Sequence, residues 1–150
     1  MKRLLTAALL LGGSLAYAQQ AEYTELLRSD IRAKKMDLIT TNMKFTDEES
    51  RVFFPIYRRY ELELSKIWDV RVELIREYKK VYDSMTDAKA GELFVKQLDL
   101  RKKELALREA YYREFEKALP VGRVVKFFQV ENRINLMVDL QIASELPPLK

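Results

Sequence analysis

The 150-residue chain contains no cysteine and no histidine. The first absence excludes disulfides, thiol chemistry and a lipid anchor on a lipobox cysteine. The second removes the commonest general base and the commonest metal-binding imidazole. No Ser/His/Asp set can be assembled, and no Gly-rich phosphate loop is present. Any metal would have to be held by oxygen atoms alone. Nickel, cobalt or zinc sensing of the usual histidine-dependent kind is therefore excluded. Carboxylates remain as potential acids and bases, but no spacing pairs them in a recognisable cleft. The expectation is a non-enzyme with no cofactor, no metal and no small-molecule substrate.

Glycine and proline are also scarce, with four of each. Beyond residue 18 only Gly91, Gly122, Pro55, Pro120, Pro147 and Pro148 remain. Leucine, glutamate, lysine, arginine and alanine are plentiful, and no alternating strand pattern sits between turn signals. Such a composition predicts an all-α fold. Apolar runs long enough to span a bilayer are lacking too. The one sustained run, Leu4 to Leu15, follows Lys2-Arg3 and precedes Ala16-Tyr17-Ala18. A charged start, a short apolar stretch and small residues at −3 and −1 together read as a signal peptide over 1–18. The expected mature chain is a single helical domain, 19–150, exported to a bacterial periplasm. Its net charge is +4 − 2 = +2, because Lys2 and Arg3 leave with the leader. So weak a balance, with basic residues interleaved among acids, suits a solvated surface and argues against a nucleic-acid partner.

Four helices are predicted. The first covers about 22–41, with Leu26, Leu27, Ile31, Met36, Leu38 and Ile39 as its apolar positions. Thr46-Asp47-Glu48-Glu49 then forms a capping box, in which Thr46 and Glu49 each satisfy the other's backbone N–H. A long helix runs from there to about Ser84. Its apolar and aromatic face is Phe53, Tyr57, Tyr60, Leu64, Ile67, Arg71, Leu74, Tyr78 and Val81. Pro55 lies two turns inside, where it removes one backbone bond and should bend the helix. Thr86 caps a second long helix over about 87–118. Glu92/Lys96, Asp99/Lys103, Glu104/Arg108 and Glu109/Arg113 are acid-then-base pairs at i,i+4 on it. Leu98, Leu105, Tyr112 and Leu119 recur at seven, the spacing of a helix-helix seam. Pro120 suits the first turn of a last helix over about 121–145, whose apolar face is Val124, Phe127, Phe128, Ile134, Val138 and Ile142. The short break at 84–86 makes the two long helices an antiparallel hairpin, with shorter flanking helices at each end. That arrangement leaves more apolar and aromatic surface than one hairpin stripe can hide. A second subunit or a bound polypeptide would cover the surplus.

Phe45-Thr46-Asp47-Glu48-Glu49 resembles the LTxxQ motif of the Spy/CpxP-like periplasmic helical-hairpin proteins, with Phe45 for Leu and Glu49 for Gln. The chain is more similar still to a group of short exported proteins related to them. The shared stretches are Thr46-Asp47-Glu48-Glu49, then Phe54-Pro55-x-Tyr57-x-x-Tyr60, and Phe127-Phe128-Gln129-x-Glu131-Asn132-Arg133. A Pro-Leu near the end, Pro148-Leu149, belongs with them. The resemblance implies a cradle-shaped homodimer of bent hairpins. It also implies ATP-independent binding of unfolded polypeptides, or a role in envelope stress and metal sensing.

Three groups of residues are site candidates, each with a plainer structural explanation. Glu131 lies within the apolar face of the last helix, where a carboxylate is costly unless paired. It is either a binding or catalytic acid, or a buried ion pair or helix cap, or a flanking solvated position. Arg101 and Arg108 fall at seven-residue spacing between Phe94 and Phe115. Those four residues are a candidate client-binding face, weakly basic and partly apolar, or else the arginines bridge to a facing helix with their stems laid over apolar surface. Tyr57, Tyr60, Trp68, Tyr78, Tyr82, Tyr111 and Tyr112 are either an aromatic client surface or core with hydroxyls at the rim. Thr46, Glu49, Pro55, Phe128, Gln129, Glu131 and Arg133 carry the structural motifs. The expected function is a chaperone-like holdase. The alternative is an envelope-stress regulator or sensor accessory that docks a membrane partner.

Overall fold

The computed structural model describes residues 33–149. The expected signal peptide and residues 22–32 of the expected first helix lie outside them. The chain divides into two compact units, Met1–Asn42 and Met43–Lys150. In the first, residues 33–42 are helical, and the helix (α1) reaches 43. The Thr40 hydroxyl and the Asn42 amide donate to the carbonyls of Met36 and Leu38.

The second unit holds α2 (Asp47–Val81), a 3-10 turn (Tyr82–Ser84), α3 (Asp87–Glu116) and α4 (Val121–Glu145). Among the described residues there is no strand, and the protein is all-α. Thr46 caps α2 through a complete capping box: its hydroxyl accepts from the Glu49 N–H at 3.2 Å, and Glu49 accepts from the Thr46 N–H at 3.0 Å. Thr86 caps α3 by accepting from the Lys89 N–H. Pro55 lies inside α2. Pro120 is the residue before α4, where its carbonyl accepts from Arg123 and Val124. The helix bounds agree with the expected 121–145, but Pro120 is the N-cap and not a residue of the first turn. Its extended backbone, ψ 137°, keeps it outside the helix.

Packing is uneven along these helices. Near the start of α2, one ring from each helix meets the other two. Phe53, Phe115 and Phe127 lie with centroids 5.0–5.2 Å apart, and Tyr57 stacks on Phe53. Rings at these separations in tilted and edge-on arrangements gain beyond their buried area. Tyr60, Leu64, Leu119, Val124, Val130 and Ile134 complete that core. Toward the far end of α2, the face made by Ile67, Leu74, Tyr78 and Val81 is only half-buried.

Contacts between α2 and α3 run in opposite chain order. Phe53 meets Phe115, Arg59 pairs with Glu114, and Glu77 pairs with Lys96 and Lys89. The same order relates α3 to α4: Tyr112 meets Phe128, Arg108 meets Glu131, and Arg101 meets Asp139.

The heptad expected to form the seam of α3 does not do so. Leu105 is 59% exposed and Leu98 is exposed as well, whereas Leu93, Leu100 and Phe115 are buried. The chain carries two leucine series at seven-residue spacing, and Leu93-Leu100-Leu107 is the one turned inward. The expected pairs on α3 also shift. Glu92–Lys96 forms, but Asp99 takes Lys102, and Arg108 leaves Glu104 to reach α4.

Candidate functional site: the groove between α3 and α4

The outward faces of α3 and α4 border an open groove of about 720 Å³. Tyr112 and Phe128 lie at its floor with ring centroids 6.3 Å apart, and Val125, Gln129 and Asn132 form its α4 side. Elsewhere on the same helices Leu98 and Leu105 of α3 and Leu136, Met137 and Leu140 of α4 are exposed, and exposed Phe94 lines a second pocket nearer the start of α3. Gln129 and Asn132 add amide groups that both donate and accept, which suits the unpaired N–H and C=O groups of an extended backbone.

The arginines on this face are held from within. Arg108 Nη2 lies 3.7 Å from the Glu131 carboxylate, and its guanidinium sits 5.7 Å over the Phe128 ring. Glu131 is fully buried, and its Oε2 also accepts from the Tyr60 hydroxyl at 2.9 Å. Burial, reinforced by the nearby Glu131 charge, drives the Tyr60 phenol well above its ordinary range, so it stays a donor. A buried carboxylate between a phenol and a guanidinium is thus a tie from α4 to both α2 and α3.

Two turns along α4, Asp139 makes a second tie of the same kind. Its oxygens accept from Arg71 of α2 and, at 3.0 Å, from Arg101 of α3. Burial alone raises the Asp139 carboxyl, but the hydrogen bonds from the two guanidiniums outweigh it and hold it below the usual carboxylate range. Arg71 also lies 4.6 Å over Trp68. A third tie sits at the start of α4. Arg123 grips Glu49 with both ends of its guanidinium, at 2.7 and 2.6 Å, and lies 5.2 Å over the Phe45 ring. It also donates to the carbonyl of Lys44, whose positive φ of 48° turns the chain just before the capping box. Hydrogen bonds from Arg123, and then from Thr46, lower the Glu49 carboxyl. Glu49 therefore closes the capping box and receives α4 at once.

No protein-family model matches the chain, and no curated protein or solved structure matches it. The site therefore stands on its own residues.

Of the four residues expected on the client face, Phe94 is exposed, and Arg101 and Arg108 lie beside the exposed series. Phe115 does not belong there. It is fully buried, because it packs between Phe53 and Phe127. Nor do the arginines offer unpaired charge, since each is bonded to an acid of α4. Among the motif residues, Phe128, Gln129 and Asn132 border the groove, Glu131 points into the core, and Arg133 is exposed. Of the aromatic set, Tyr57 and Tyr60 are core, while Tyr78 and Tyr82 hold the C-terminal tail by donating to the carbonyls of Pro147 and Pro148. Asp139 and Arg123 were not anticipated. The signal for Asp139 was available in kind: an acid on the apolar side of α4, two turns beyond Glu131.

Proposed function

We propose that the protein is a non-enzymatic, ATP-independent polypeptide-binding protein of the bacterial envelope, a holdase-like member of the Spy/CpxP type. In this reading α2 and α3 are an antiparallel hairpin that α4 braces. The groove between α3 and α4 receives an extended or partly unfolded chain, and a second copy extends the surface. One observation carries the reading: Leu98 and Leu105 of α3 and Leu136 and Leu140 of α4 stand exposed on the two helices that border a groove lined by Tyr112, Phe128, two side-chain amides and the ion-paired Arg108. Apolar side chains supply contact without demanding a sequence. Paired charges add modest steering without binding the client irreversibly. An export signal at 1–18 places this surface where ATP is not at hand, so capture and release must follow affinity alone.

The test is light scattering from two unrelated aggregating clients, with and without the mature protein. Suppression should survive in part at about 0.5 M salt, where screening reaches a few ångströms. Leu105→Ser with Leu136→Ser should weaken it while the circular dichroism spectrum and melting stay unchanged. Reversing Arg101 and Arg108 to Glu is the poorer experiment, because Arg108→Glu would set two acids together at buried Glu131. No suppression at several-fold molar excess over either client would overturn the reading. A single tight partner captured from envelope extract would favour a regulator instead. Periplasmic protein beginning at Gln19 is expected by mass spectrometry, and a full-length chain held in the inner membrane would refute export.

A further inference from the structure

The loosely packed far end of the helices borders a partly open pocket of about 310 Å³. Its walls are Ile67 and Leu74 of α2, Leu93 and Leu100 of α3, Ile142 of α4 and Leu149 of the tail. The tail crosses here as Leu146-Pro147-Pro148-Leu149, tied down by the hydroxyls of Tyr78 and Tyr82 at 2.7 and 2.9 Å. Pro147 and Pro148 have no N–H, so only their carbonyls can tether this strap to the phenols. The walls of the pocket are mostly apolar, and covering them with an apolar ligand would remove that surface from water. Toward the middle of the helices the lining turns polar, with Arg71, Arg101 and Glu104. Each guanidinium carries five N–H donors and no acceptor, and the bonds to Asp139 and Glu104 leave several of those donors unused.

We propose that this cavity binds an amphiphile with one acyl chain and an anionic head. The chain fills the apolar space beneath the tail, and the head accepts hydrogen bonds from Arg101 and Arg71. Cavities from about 300 Å³ upward are the size of small-molecule sites. If about 150 Å³ accommodates benzene, twice that volume takes a chain of roughly ten carbons. The head must be an acceptor, and a carboxylate matches the remaining N–H donors of a guanidinium in shape, the charges of Arg71 and Arg101 being already balanced by Asp139 and Glu104. The tail acts as a strap beside the pocket, held by the two phenol hydrogen bonds and by the packing of Leu146 and Leu149. The pocket shares no lining residue with the α3–α4 groove, although Phe94 and Arg101 of the expected client face line it.

Trp68 is the chain's one tryptophan, and it stacks against cavity-lining Arg71, so its emission reports on the site. Decanoate added to the mature protein below its micellar range should change that emission saturably, with one molecule bound per chain by calorimetry. Decanol should bind more weakly, and decyltrimethylammonium should show no saturable binding. Ala90→Phe fills the cavity from the α3 side and should abolish decanoate binding; Ile142→Phe does so from α4 if the first variant does not fold. Arg101→Gln should weaken decanoate about tenfold and leave decanol unchanged. Tyr78→Phe with Tyr82→Phe should speed release several-fold. Absence of saturable decanoate binding would overturn the proposal. So would equal binding of the ammonium amphiphile, or undiminished binding by a filled variant that melts like the native protein.

Discussion

Replacing Glu131 with alanine tests the central tie of the fold. The carboxylate is fully buried, and it accepts from a Tyr60 hydroxyl that belongs to a fully buried residue. Removing it strands that hydroxyl in a dry site, which costs about 1–3 kcal/mol. The truncation also leaves a void of a few heavy atoms among Phe127, Val130 and Ile134, worth roughly another 1 kcal/mol. Arg108 limits the damage. Its side chain is 24% exposed, so its freed guanidinium can turn to water. Breaking a fully buried ion pair costs about 3–5 kcal/mol, and this one should fall toward or below the lower part of that range, at about 2–4 kcal/mol. For a chain of this size the melting temperature should drop by on the order of 10 °C. Glu131→Gln keeps an acceptor for Tyr60 and loses only the charge opposite Arg108, so it should lie between the alanine variant and the native protein. Urea unfolding followed by helical circular dichroism gives the values, and Tyr60→Phe completes a double-mutant cycle with a coupling of about 1–2 kcal/mol. An alanine variant within about 0.5 kcal/mol of native, or a coupling near zero, would refute the buried tie.

The two leucine series of α3 separate cleanly. Leu100→Ala should cost about 2–4 kcal/mol, whereas Leu105→Ala should change stability by less than about 0.5 kcal/mol, both by urea unfolding. Thr46→Ala removes the α2 cap and should cost about 1 kcal/mol. Arg123→Lys cannot reproduce the two-pronged hold on Glu49 and should lower the melting temperature, though the charge is kept. Stability should fall in acid. The Asp139 carboxyl is held below its unfolded value near 4, so the folded state binds fewer protons there than the unfolded one. Its contribution is complete above that value and is lost as pH falls through the lower, folded one. Asp139→Asn should flatten the pH dependence of melting between about pH 5 and 2.

Local chemistry written into the chain settled the helices and their ends. The scarcity of glycine and proline, the capping box at Thr46 and the cap at Thr86 act within a turn or two, so their outcome needs no distant partner. The apolar faces of α2 and α4 were legible for the same reason: each has one dominant stripe at helical spacing. α3 was not legible, because it carries two leucine series of equal spacing. Nothing local separates Leu93-Leu100-Leu107 from Leu98-Leu105-Tyr112. Only the position of α2 and of the Phe53–Phe115–Phe127 cluster decides which series is buried. Glu131 stood out as a carboxylate in an apolar stripe, but its partners, Tyr60 and Arg108, lie 71 and 23 residues away. The bridges of Asp139 to Arg71 and Arg101, where three helices meet, and of Arg123 to Glu49, where two do, are likewise products of packing between distant segments. So are the groove and the cavity, since a space between helices belongs to no one segment. Helix content and ends rest on interactions a few residues long, whereas the choice of buried face, the pairing of buried charge and the shape of empty space arise only when distant segments pack.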